Sequence, residues 1–302
     1  MESVLEKLPP GSRVAVLRLR SLGDCVLTTP ALDILRRARP DLRVAVVVED
    51  RFRDIFEGNS DVDEMLAPEP AALRRWRPRL CVNFHGGSRS AWMTAVSGAR
   101  YRAGFSHFRH RLVYNLHIPR AQEILGVERT VHTAEHLASA MFWLGAPRGD
   151  VPRAQLVSGA IGPADLRAVI HPVGATPAKT WRADGFREVA EHLRQSGMEV
   201  VFIGAESDDL SPFAGFPGMH GRPLSEIKDL LATASLFVGN DSGPAHMAAA
   251  FGIPVVVIFG ESDPAIWGPW RTDSEVVRVP GGIRNVRASQ VILATARLRV
   301  HA

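Results

Sequence analysis

Short apolar runs alternate along this chain with stretches of helical period, and glycine, proline and polar residues mark the turns between them. Arg13 to Leu19 predicts a strand, Arg20 to Asp24 a turn, and Val26 to Ala38 a helix that stops before Pro40. Leu42 to Val48 is a strand apolar almost throughout, as in a parallel sheet covered on both faces. Phe52 to Phe56 predicts a short helix, Val62 to Leu66 an edge strand, Arg79 to Phe84 a buried strand and Ser90 to Val96 a helix. His132 to Leu144 is a longer amphipathic helix halted at Gly145 and Pro147, and Pro147 to Pro163 reads as a linker. The alternation then resumes, with strands at Ala168 to His171, Glu199 to Ile203, Leu236 to Val238 and Val255 to Phe259. Helices fall at Ala183 to Gln195, Leu224 to Ala234 and Ala245 to Phe251, with a terminal one at Arg287 to Val300. Strand and helix in turn mean an α/β protein, here as two nucleotide-binding-like halves without a visible sequence repeat.

Length and composition fit that reading. The 302 residues leave room for about two domains, and a 46% hydrophobic content supplies ordinary cores. Ser242 to Gly260 lacks Asp, Glu, Lys and Arg, but Pro254, two glycines and His246 make it soluble core and not a membrane span. Met1 to Leu19 has no apolar stretch of signal-peptide length, and Cys25 and Cys81 are too few for a disulfide framework. A cytoplasmic protein without bound metal is expected. The net charge of +4 is uneven: residues 1–155 hold 23 basic against 17 acidic side chains, and residues 156–302 hold 13 against 15. The basic half should meet the more anionic partner. No zinc-finger or RNA-recognition pattern accompanies the charge, so nucleic acid is not an expected partner.

Candidate chemistry gathers at turns after strands. Asp241 and Ser242 stand at the start of the helix after Leu236 to Val238, where unpaired N–H groups and a partial positive charge can hold a phosphate; simple capping would also account for both residues. Gly243 leaves room for close approach, and His246 falls about one helical turn after Ser242, on the same face. Asp24 lies just past the first strand, where open α/β sheets bind ligands, with Gly23 beside it. Lys179, in the run G-A-T-P-A-K-T-W with Thr176, is one of three lysines and could neutralise a leaving diphosphate. Asp208, after Gly204, is placed to hold ribose hydroxyls. The arginines between Arg74 and Arg111, among them Arg89 and Arg102, are candidates for an acidic acceptor or an anionic membrane surface. Asp61-Val62-Asp63 matches a metal-holding D-x-D pattern, but its loop setting predicts solvated carboxylates.

Four landmarks in order carry a resemblance: V-L-R-L-R-S-L-G-D at Val16 to Asp24, G-A-T-P-A-K-T-W at Gly174 to Trp181, N-D-S-G-P-A-H at Asn240 to His246, and F-G-E-S-D-P-A-I-W-G-P-W at Phe259 to Trp270. Together they resemble glycosyltransferase family 9, the ADP-heptose:lipopolysaccharide heptosyltransferases. The resemblance implies a GT-B fold, two Rossmann-like parallel-sheet domains facing across a cleft. Residues 1–155 would bind the acceptor and 156–302 the nucleotide sugar, with the last helix, about 289–300, packing back on the N-terminal domain. It implies an inverting, metal-independent enzyme with no cofactor, moving heptose or a related sugar from an ADP-sugar to a lipopolysaccharide core or related glycan. Asp24 would be the base and Lys179 would assist the diphosphate. Thr176, Asp208, Asp241, Ser242, Gly243 and His246 would line the donor pocket, with Gly23, Arg89 and Arg102 on the acceptor side. An anionic glycolipid or oligosaccharide acceptor and peripheral contact with the inner membrane are the partners implied. Arg20, where relatives often carry Ser or Thr, and Pro177-Ala178, where some carry acids, depart from the pattern and bear on the sugar and acceptor. Two alternatives stay open: a nucleotide-sugar epimerase of similar shape, and a non-catalytic nucleotide- or glycan-binding protein.

Overall fold

The computed structural model describes residues 3–160 and 166–298, which divide into two units, Met1–Val157 and Ser158–Ala302. In the first unit the strands are β1 (Arg13–Leu17), β2 (Arg43–Val47), β3 (Glu64–Leu66), β4 (Leu80–Asn83), β5 (Tyr101–Phe105) and β6 (Leu116–Ile118). Its helices are α1 (Leu22–Val26), α2 (Thr29–Ala38), α3 (Pro70–Trp76), α4 (Ser88–Val96), α5 (Ala121–Leu125) and α6 (Thr133–Leu144). The second unit has β7 (Arg167–His171), β8 (Glu199–Gly204), β9 (Gly218–His220), β10 (Leu236–Asn240), β11 (Val255–Ile258) and β12 (Ser274–Val277). Its helices are α7 (Ala183–Gln195), α8 (Leu224–Ala232), α9 (Gly243–Phe251), α10 (Pro264–Trp267) and α11 (Ala288–Arg297).

Each unit holds one six-stranded parallel sheet, ordered β3-β2-β1-β4-β5-β6 and β12-β11-β10-β7-β8-β9. Numbered within its own unit, the second order read backwards is the first. The repeat that the residues conceal is therefore a repeat of topology. Both are doubly wound sheets, whose strand order reverses direction between β1 and β4 and between β7 and β10, the points where such sheets bind ligands. The central strands β1, β4, β7 and β10 are mostly apolar runs without an exposed residue: Val14 pairs with both Val44 and Leu80, and Val238 with both Val256 and Ile170. Helices cover them with one apolar stripe. In α7 that stripe is Gly185, Phe186, Val189, Ala190 and Leu193, packed on a core with Trp181, Phe202 and Ile258.

Several expectations are corrected. The helix expected over Val26 to Ala38 begins at Thr29, and the expected turn at Arg20 to Asp24 runs into a separate helix, α1, that ends at Val26; Pro30 has no N–H and its ring would meet the carbonyl of Val26, to which the Thr29 hydroxyl donates instead, at 2.9 Å. Of the D-x-D carboxylates, expected to be solvated, Asp63 is exposed and Asp61 is not. Asp63 accepts from the Val44 N–H and from Arg36, both at 2.7 Å, and so ties the start of β3 to β2, while Asp61 is buried. The final helix lays Ala288, Val291 and Ala294 into the core of the second unit, beside Phe186 and Val189 of α7. Its expected continuation to Val300, and part of the expected linker at 161–163, lie outside the described residues. The uncharged run from Ser242 to Gly260 is divided between α9 and β11 by Gly252, whose φ of 79° ends the helix. Among the described residues no helix is long and apolar enough to cross a membrane.

Candidate active site

In the first unit the chain leaves β1 through Arg18 and enters α1, with Asp24 in its first turn. One Asp24 oxygen accepts from Arg18 Nη1 at 3.2 Å, and the other from the Ser21 hydroxyl at 3.0 Å. The Arg18 side chain is 7% exposed and that of Asp24 23%, so a buried cation holds a carboxylate that still reaches solvent. Burial pulls the Arg18 pKa down, and the charge of Asp24 opposes that shift. Gly23 is buried in α1.

Neighbouring strands finish the wall. Asn83, at the end of β4, accepts from the N–H groups of His85 and Gly86 at 2.9 and 3.0 Å and so shapes the H-G-G turn. Burial lowers the His85 pKa, and Arg18 lowers it further. Phe105, ending β5, stacks on His136 with centroids 4.0 Å apart. Burial, then His107 and Arg18, push His136 down to about 4, so it is neutral near pH 7. Arg102, expected at the acceptor, is committed elsewhere: its guanidinium donates to the carbonyls of Val113 and Ala99. Arg89 donates to the Pro68 carbonyl and keeps an exposed side chain.

In the second unit three loops meet at the end of the sheet beside the switch point. After β7 the chain forms a 3-10 turn at Pro177–Lys179, and Lys179 Nζ donates to Asp241 Oδ2 at 2.9 Å. The Ser262 hydroxyl, from the loop after β11, donates to the same oxygen. Ser242 is the N-cap of α9, yet its side chain makes no capping bond; its hydroxyl lies 3.0 Å from His171 Nδ1. Burial holds His171 down to about 4, a neutral imidazole. Capping therefore does not account for Asp241 and Ser242. Their side chains are turned to Lys179 and His171, and no side chain caps the N-terminus of α9, whose second residue, Pro244, has no N–H of its own. Gly243 is the first residue of α9, while His246, one turn later, is 5% exposed and belongs to its packed side.

Asn240 holds this arrangement together. Fully buried at the end of β10, it accepts from the Trp181 N–H at 3.0 Å and donates to the Pro172 carbonyl at 2.8 Å, clasping both ends of the loop that carries Lys179. Close approach inside the loop demands glycine: a Cβ on Gly174 would lie 2.4 Å from the Lys179 carbonyl oxygen, and one on Gly260 2.1 Å from that of Ala178. Thr176 is exposed and helps line a cavity of about 590 Å³ with Gly174, Thr180 and Trp181. Asp208 accepts from the Ala205 N–H at 2.8 Å, closing the turn after β8. The structure thus gathers Lys179, Asp241, Ser242 and the α9 terminus and adds His171, Asn240 and Ser262, which sequence reading passed over; Arg18, His85 and His136 are the additions in the first unit.

The family model described as glycosyltransferase family 9 (heptosyltransferase) matches residues 72–290. The chain belongs to this glycosyltransferase family. It is 26% identical over 297 residues to lipopolysaccharide heptosyltransferase 3 of Escherichia coli K12, covering 83% of each chain. It is 28% identical over 297 residues to lipopolysaccharide heptosyltransferase 1 of Pseudomonas aeruginosa, covering 85% of this chain and 81% of the relative. Among solved structures, the glycosyl transferase family 9 protein of Veillonella parvula superposes with a TM-score of 0.83 at 22% identity, over 95% of this chain and 96% of the other. An E. coli heptosyltransferase solved with ADP gives 0.78 at 21% identity, over 94% and 99%. These superpositions match the fold as two Rossmann-like sheets of the GT-B type. A family 9 member is a glycosyltransferase, which sets aside the epimerase and binding-protein alternatives as the primary activity.

Proposed function

We propose that this glycosyltransferase moves a heptose from ADP-heptose to a lipopolysaccharide core or related anionic glycan, with inversion and without a metal. The observation that carries the reading is the N-terminus of α9, left uncapped by Ser242 and set beside the Lys179–Asp241 pair. The donor diphosphate sits on the N–H groups of Gly243 and Ala245, Pro244 between them having none, Lys179 turns from Asp241 toward the phosphates, and Asp208 and Thr176 contact the nucleotide. Names of relatives support the sugar and the acceptor, and one neighbour was solved with ADP.

In the reaction Asp24 takes the proton of an acceptor hydroxyl as its oxygen forms a bond to the anomeric carbon. The bond from that carbon to the diphosphate breaks on the opposite face, and ADP leaves with its charge met by Lys179 and the α9 terminus. Arg18 and Ser21 aim the Asp24 carboxylate, and general base catalysis of this kind contributes about 10²–10⁴-fold. Gly23 and Arg89 lie on the acceptor side. Incubation of the protein with ADP-heptose, with and without a heptose-deficient lipopolysaccharide acceptor, tests the reading. ADP release that requires the acceptor supports it; turnover of donor alone to an isomer, or binding without release, contradicts it.

A further inference from the structure

Ser242 opens α9 without capping it. Its backbone, at φ −155° and ψ 167°, is extended as an N-cap residue's is, yet its side chain makes no capping bond. The hydroxyl is engaged from the neighbouring strand instead, 3.0 Å from Nδ1 of His171, the last residue of β7. Strands β7 and β10 pair with His171 opposite Gly239, three residues before Ser242. The two backbones run close at this point, since a Cβ on Gly239 would lie 2.9 Å from the His171 carbonyl oxygen. Strand pairing therefore sets the imidazole against the hydroxyl.

A proton between these two groups can run in either direction. If the hydroxyl donates to Nδ1, Ser242 shows a ligand only lone pairs, which repel an anion. If Nδ1–H donates to Oγ, the hydroxyl proton stays free to point at one. The start of α9 favours the second arrangement. A helix opens with unpaired N–H groups, but Pro244 has none, so one donor is missing between Gly243 and Ala245. A serine hydroxyl held with its proton outward stands in for it. Burial keeps the His171 ring neutral against the opposing charge of Asp208. A neutral ring carries a single N–H, so the nitrogen that holds it decides what Ser242 can do.

We infer that His171 is a positioning residue for the donor: its Nδ1–H donates to Ser242 Oγ and turns the serine proton toward an oxygen of the nucleotide diphosphate. This role rests on the donor site proposed above, to which it adds a residue acting through Ser242.

The test is a double-mutant cycle on the full chain, with ADP as the probe and titration calorimetry as the readout. Ser242→Ala should weaken ADP binding about tenfold, the loss of one hydrogen bond to a charged group. His171→Leu should weaken it about fivefold, and the S242A/H171L double variant should bind no worse than S242A. Two amides separate positioning from packing. Asparagine can place an N–H where Nδ1 stands, so H171N should stay within about twofold of the parent; glutamine reaches the Nε2 position, so H171Q should lose as much as H171L. Should H171L fail to fold, the H171N and H171Q pair makes the comparison. Losses that multiply in the double variant overturn the inference, as does H171N binding no better than H171Q. A purely structural latch between β7 and α9 would lower the melting temperature of S242A and H171L and leave the ADP affinity of the folded protein unchanged; that result overturns it too. A parent chain without affinity for ADP removes the donor site and this role with it, whereas a parent that binds ADP with multiplying losses removes the role of His171 alone.

Discussion

Replacing Asn240 with alanine tests whether the loop that presents Lys179 is held from β10. The side chain is 0% exposed and makes two bonds to backbone, from Trp181 N–H and to the Pro172 carbonyl. Truncation leaves one buried donor and one buried acceptor unmatched, each costing about 1–3 kcal/mol, and water entering the vacated space recovers part of that. A net loss of about 2–4 kcal/mol follows, and at about 2–4 °C per kcal/mol for a unit of this size the melting temperature should fall by about 5–15 °C. Function should fall with it. Freed at Pro172 and Trp181, the loop no longer fixes Lys179 against Asp241, so the KM for donor should rise. Urea unfolding followed by tryptophan emission, together with initial rates over a range of donor, measures both. A stability change within about 0.5 kcal/mol, or a clear loss of stability with an unaltered donor KM, would refute the reasoning.

Three further outcomes follow from the same geometry. Lys179→Ala should lower kcat/KM for donor by about 10²–10³ and weaken ADP binding, and unchanged kinetics with both substrates would remove Lys179 from the mechanism. Gly260→Ala should push the Pro177–Lys179 turn away from the Ala178 carbonyl contact, costing about 1–3 kcal/mol and raising the donor KM; wild-type melting and kinetics would show that the contact is slack. His171 and His136 both have folded pKa values lowered to about 4, below the unfolded 6.5, so the unfolded chain binds more protons between those limits. Their contribution to stability is full above pH 6.5 and lost as pH falls toward 4. Melting temperatures taken across that window should fall for the parent chain and fall less for His171→Gln; identical slopes would contradict it.

How far the sequence reveals the molecule depends on what each residue has to do. Buried central strands announce themselves, since β1, β2, β10 and β11 are apolar runs that need no partner to be recognised. Strands β6, β9 and β12 do not: they sit at sheet edges, are three or four residues long, and carry His117, His220 and Glu275 among few apolar neighbours. Strand β5 is hidden by Arg102 and Gly104, the latter needed because a Cβ there would meet the Tyr114 ring at 2.7 Å. At the candidate site, residues on the turns after strands were legible because loop position and residue type coincide, as for Asp24, Lys179 and Ser242. The residues that hold them were not. Asn240 was read as part of a motif without a task, and Arg18 as one arginine among many, because their roles exist only once β10 meets the Pro172–Trp181 loop and α1 folds back on β1.

The most direct test of the account is Asp24→Asn, chosen over alanine because the amide oxygen can still accept from buried Arg18, although the negative charge beside that guanidinium is lost in both variants. Asparagine keeps the size and one of the two accepting oxygens but cannot take a proton. Acceptor-dependent release of ADP should fall by about 10²–10⁴-fold while the affinity for ADP stays near that of the parent chain; the melting temperature, lowered by the loss of the charge that faces Arg18, is measured beside it so that rates are compared on folded protein. Near-normal turnover by the Asp24→Asn protein would contradict the claim that this carboxylate is the base.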